Sequence, residues 1–157
     1  MCKNPAEFEA KGIVKKGYGA ASGRSRYAEM GGSIRAQKPR FRERGFSIDD
    51  VCDGTINVDI RPRSFERVRA LATLVEVKWH LALPAETFSF YDVIFEHGGR
   101  RYPALVYFPH PETKGAFNEQ FPGYSLLEIL CPFVEGLRLG DEVLIVSASG
   151  SIRFIDE

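Results

Sequence analysis

The 157-residue chain predicts a mainly β fold that closes into a small barrel of about six strands, with one or two short helices and long loops. Three observations carry this expectation. Short apolar runs with a period of two recur through the C-terminal two thirds, Gly- and Pro-containing turns punctuate them, and helical periodicity is weak. A hydrophobic content of 44% and a charged content of 27% are those of an ordinary globular protein. Residues 1–157 are read as a single domain, with 1–9 as a loose N-terminal segment.

In chain order, Gly12 to Lys15 reads as the first strand and stops at the small-residue loop Gly17-Tyr18-Gly19-Ala20-Ala21-Ser22-Gly23. Such a loop leaves backbone N–H groups open to a phosphate, although a plain connector has the same composition. Ser22 to Cys52 is long and basic, with a short helical turn expected at Phe41 to Arg44 before Gly45. Asp53-Gly54 turns into Thr55-Ile56-Asn57-Val58-Asp59-Ile60, whose alternation puts three oxygen-bearing side chains on one face. Those oxygens suit a hard cation such as Mg²⁺; the same pattern also fits a half-buried strand with one wet face.

Ser64 to Ala72 is expected to be a helix with Ser64 as its cap. Leu74 to Trp79 alternates as a strand, with Val75, Val77 and Trp79 on one face. Phe88 to Phe95 and Tyr102 to Phe108 flank Gly98-Gly99 as a hairpin with a slightly longer loop, and Pro103 points to a sheet edge or bulge. Pro109 to Gly123 is irregular. Ser125 to Leu130, Leu144 to Val146 and Ile152 to Ile155 supply the last strands.

Charge is balanced overall, but residues 1–50 hold eleven Lys/Arg against six Asp/Glu, a net of +5. That imbalance suits phosphate, whether of a nucleotide or of a nucleic acid. Cys2, Cys52 and Cys131 form no disulfide framework, and His80, His97 and His110 no zinc pattern. With no membrane-length apolar run and no signal-peptide core, a cytoplasmic location is expected.

Several motifs then fall in one order: Gly12-x-Val14-x-x-Gly17-x-Gly19, Phe41-x-x-x-Gly45-Phe46, Gly54-Thr55-Ile56-Asn57-Val58, Pro111-Glu112-Thr113, Leu127-Glu128-Ile129 and Leu137-x-Leu139-Gly140-Asp141-x-Val143. Over roughly residues 12–146 they resemble the archaeal-type CTP-dependent riboflavin kinases. The resemblance implies a six-stranded cradle-loop β-barrel that transfers a phosphoryl group, with Mg²⁺, from a nucleoside triphosphate (CTP in that family) to riboflavin, giving FMN. It implies Mg²⁺ at Thr55 and Asn57, nucleotide contacts from Gly17, Tyr18, Gly19, Ala20, Ala21 and Ser22, and flavin contacts from Thr113 and Glu128. Glu128 is the candidate catalytic residue, to orient or deprotonate the acceptor hydroxyl. Lys15, Lys16, Arg24 and Arg26 are candidate cations toward phosphate.

The chain differs from that family in three places. It has Ala20-Ala21 where the family has Glu-Gly, Val51-Cys52-Asp53 where the family has Pro-Tyr-Pro, and a shorter Cys131 to Gly136 segment after Glu128. The first and third differences motivate a second reading, a non-catalytic barrel that retains flavin or nucleotide binding. The basic run Arg35 to Arg44 motivates a third and least favoured one, a nucleic-acid-binding barrel. Two residue-level alternatives also stand: Cys131 with His110 as a nucleophile pair, and Tyr102, Tyr107, Phe108 or Phe121 stacking on a flavin ring or serving only as core.

Overall fold

A computed structural model describes residues 5–16, 33–110 and 125–156. Among these, nine strands and two helices follow in the order α1 (Pro5–Phe8), β1 (Glu9–Lys15), α2 (Ser33–Glu43), β2 (Ile56–Asp59), β3 (Ser64–Arg67), β4 (Ala72–Val77), β5 (Glu86–His97), β6 (Arg100–Pro109), β7 (Leu126–Leu130), β8 (Glu142–Val146) and β9 (Ile152–Ile155). The main sheet runs β4-β5-β6-β7-β2-β1-β8, and β8 also pairs with β5, so six strands form a closed ring. Every pairing within it is antiparallel.

The twelve-residue β5 makes closure possible by dividing one edge between two neighbours. Residues 86–90 pair with β4, whereas Ile94, Phe95 and Glu96 pair with β8. Gly98 and Gly99 join β5 to β6 with φ of 58° and 79°, the positive angles of a tight two-residue hairpin rather than the longer loop expected. Pro103 pairs with Ile94 inside β6, and β7 engages only Leu105 and Val106, so the proline lacks a strand on its other side.

Alternation gives the ring two apolar faces. One gathers Val14, Val58, Tyr91, Val93, Phe95, Val106, Leu127, Ile129, Val143 and Ile145, and takes in Phe65, Ile152 and Phe154 from the β3–β9 ribbon. The other holds Phe88, Phe90, Tyr107 and Leu130 beneath Ile34 and Phe41 of α2, with Trp79 beside them. Phe41 meets Phe88 and Phe90 edge-on at 5.0 and 5.3 Å.

Three further sequence expectations are corrected. Ser64 to Ala72 is not a helix: Ser64–Arg67 is strand β3, with Phe65 buried and paired to Phe154. The local cap at Ser64 is outweighed by burying Phe65 against β9, a partner distant in sequence. The helical turn at Phe41 to Arg44 is the end of an eleven-residue helix that tolerates Pro39 and buries Ile34, Gln37 and Phe41 at helical spacing. Gly45 N–H to Arg42 O and Phe46 N–H to Phe41 O, at 2.9 and 3.1 Å, close it as a Schellman cap. In β4 a bulge between Leu74 and Val77, with Glu76 at φ 51°, turns Val75 outward. Leu74 and Val77 are the buried pair there, and Trp79 is buried with Val77 as expected.

Candidate functional site

β2 lies between β1 and β7, and its register sets the site. Lys15 is opposite Asn57, and Asn57 is opposite Glu128. Directly opposed residues of antiparallel strands project to one face, so Lys15, Asn57 and Glu128 form a single row. The neighbouring row, Val14, Val58 and Leu127, is buried in the core on the opposite face. An ammonium, a carboxamide and a carboxylate thus meet on one side of three strands. Thr55 lies two residues before Asn57, just ahead of β2, and both are half-buried. Among the described residues neither side chain makes a hydrogen bond, which leaves two neutral oxygen donors of the kind a hard cation takes.

Asp59 shares this face, but Arg61 binds its carboxylate at 2.6–3.0 Å and its backbone N–H donates to it. Those contacts hold the Asp59 carboxyl below the usual carboxylate range. Asp59 serves as an internal counter-ion.

Glu128 extends toward the face covered by α2. Its charge, after burial itself, contributes to holding the Tyr107 phenol well above its ordinary pKa. Tyr107 donates to Gln37 Oε1 of α2 at 2.7 Å, so the phenol is part of the buried layer under the helix. Phe108 lies in the core, with the Arg67 guanidinium 4.1 Å over its ring, and Tyr102 packs half-buried against that core. These aromatics follow the core reading. Cys131 and His110 are not a pair: His110 Nε2 meets Ser89 Oγ at 2.7 Å, while burial pushes the Cys131 thiol up to about 12.

The turn before Thr55 is tied down from two directions. Lys38 of α2 donates to Val51 O at 2.5 Å and pairs with Asp53 Oδ1 at 2.8 Å. Cys52 N–H donates to Cys131 O at 3.1 Å, just beyond β7. Sequence reasoning counted Lys38 only as part of a basic run, because its partners depend on how α2 folds back over the turn.

Three further cations of that run, Arg40, Arg42 and Arg44, are also engaged internally, whereas Arg35 is exposed. Arg40 pairs with Glu43 at 2.8 Å, Arg42 with Asp49 at 2.9 Å, and Arg44 caps Val75 O and Glu76 O at 2.9 Å each. The expected nucleotide residues Gly17, Tyr18, Gly19, Ala20, Ala21 and Ser22, the expected flavin residue Thr113, and Arg24, Arg26 and Phe121 lie outside the described residues. No helix among the described residues is long and apolar enough to cross a membrane. The chain matches no protein-family model and no curated protein.

Proposed function

We propose that the six-stranded ring is a cradle-loop β-barrel and that the chain is a riboflavin kinase-like phosphotransferase, moving a phosphoryl group from a nucleoside triphosphate to riboflavin. The observation that carries this reading is the opposition of Asn57 and Glu128. Two residues taken from separate motifs, one for the metal and one for the acceptor, stand side by side with the Lys15 ammonium on the other flank. Phosphoryl transfer asks chiefly for such positioning and charge neutralisation.

Thr55 and Asn57 fit Mg²⁺ as uncharged oxygen donors, and they are the residues that would hold it. When bound, the ion neutralises phosphate charge. Glu128 orients the riboflavin hydroxyl and accepts its proton as that oxygen bonds to the terminal phosphorus. The bond from phosphorus to the bridging oxygen then breaks, and the nucleoside diphosphate leaves. Lys15 offsets charge on the phosphate side of Asn57. The internal partners of Lys38, Arg40, Arg42 and Arg44 favour a small-molecule ligand over a nucleic acid, since cations already paired release few counterions on binding.

The test is FMN formation from riboflavin with Mg²⁺ and each of CTP, ATP, GTP and UTP, alongside thermal shifts with each ligand alone. A ligand that binds only the native state raises its stability. Absence of FMN with all four nucleotides would refute the kinase reading. A shift with riboflavin or FMN but no turnover would favour the non-catalytic barrel.

A further inference from the structure

We propose that Lys38 is the positioning residue of the cation site, holding the Val51-Cys52-Asp53 turn so that Thr55 and Asn57 face the same side as Glu128. This rests on the reading that Thr55 and Asn57 take a divalent cation. The turn contains no proline, so nothing in its covalent structure fixes φ, and its order has to come from contacts.

Three consecutive residues are each tied. Val51 O and Asp53 Oδ1 both bind the Lys38 ammonium, at 2.5 and 2.8 Å, and Cys52 N–H binds Cys131 O. The Lys38 side chain is only 13% exposed against 49% for Asp53, so the ammonium is the desolvated partner and these two oxygens stand in for its water. Its base is rigid as well, because Ile34 and Phe41 on either side of it along α2 are fully buried. A largely desolvated cation on a fixed helix therefore sets the turn that leads into the two donors, and Cys131 ties the same turn to the strand that carries Glu128.

Mn²⁺ titration, read by broadening of the Thr55 and Asn57 amide signals in NMR, tests the proposal even where affinity is weak. Lys38→Met, which keeps the stem and removes the charge, is expected to weaken Mn²⁺ binding about 10- to 100-fold, the usual effect of losing a residue that orients metal ligands. Lys38→Arg is expected to restore it to within a few-fold. Asp53→Asn, which leaves the Val51 contact in place, should fall between them and keeps the test valid if Lys38→Met folds poorly. Amide exchange at residues 51–54 should accelerate in the same order. Wild-type protein that fails to bind Mn²⁺ would overturn the cation reading and this proposal together. Wild-type binding that survives unchanged in both Lys38→Met and Asp53→Asn would overturn the proposal alone.

Discussion

Asn57 and Glu128 occupy directly opposed register positions on β2 and β7, and Lys15 of β1 is opposed to Asn57 from the other side. The arrangement places a carboxylate and a carboxamide on adjacent strands of a sheet whose reverse face is closed core. Strands hold such groups more rigidly than loops do, which is what positioning requires.

Glu128→Gln is therefore expected to lower kcat for FMN formation about 10²- to 10⁴-fold, the range for losing a positioned base, while riboflavin binding persists. Asn57→Ala is expected instead to raise the Mg²⁺ concentration needed for half-maximal rate. Steady-state kinetics at varied riboflavin and varied Mg²⁺ separate the two. Equal effects of both variants on both parameters would contradict the assignment of separate roles.

The β1–β2 approach that builds this row depends on Gly12. A Cβ there would collide with Val58 Cγ1 and come within 3.1 Å of Asp59 O and Ile60 Cγ2. Gly12→Ala should destabilise the fold by about 1–3 kcal/mol, the cost of overpacking a closed core, measured by urea unfolding. A stability equal to wild type would mean that β1 can move away from β2 without loss.

Much of the fold was legible because it is written locally. Gly98-Gly99 between two alternating runs specifies a hairpin, and Ile56, Val58 and Ile60 specify a strand with a wet face. What was illegible depends on distant partners. Ser64 to Arg67 has the residues of a capped helix until Phe65 finds β9. The length of α2 was hidden by Pro39 and by Gln37, a polar residue on its buried face that accepts from the distant Tyr107 hydroxyl. The site divides in the same way. Thr55, Asn57 and Glu128 are nameable from motifs, but their adjacency belongs to the β2–β7 register and the role of Lys38 to the fold of the chain over the turn.

Cys52 and Cys131 are joined through the backbone yet differ in chemistry. Cys52 is exposed, whereas Cys131 is buried and its thiol is pushed up to about 12, first by burial and then by the nearby Cys52. Near neutral pH Cys131 is therefore held as the thiol rather than the thiolate, the reactive form. Iodoacetamide should alkylate Cys52 in the native protein and reach Cys131 only in denaturant, as read by peptide mass spectrometry. Comparable native rates at the two sites would show that the end of β7 opens readily.

Acid sensitivity should include the β1 end of the site. Asp141 Oδ2 accepts from Arg138 N–H and meets His97 Nε2, each at 2.9 Å. The backbone donor first and His97 second lower its pKa below the ordinary value near 3.8. A carboxyl whose folded pKa is depressed stabilises the fold above its unfolded value and loses that contribution as pH falls through the folded one. Asp49 and Asp59 are lowered as well, so wild-type stability should drop below about pH 4 through several groups together. Asp141→Asn, which does not titrate, should be less stable than wild type at neutral pH, and the two melting curves should converge as pH falls below 4. The same turn grips β1, since Val14 N–H donates to Asp141 O at 2.9 Å and Gly140 N–H to Val14 O at 2.8 Å. Exchange of the Val14 amide should therefore speed up in acid ahead of amides in the β5–β6 hairpin. A gap between wild type and Asp141→Asn that stays constant down to pH 2 would remove Asp141 from the acid response.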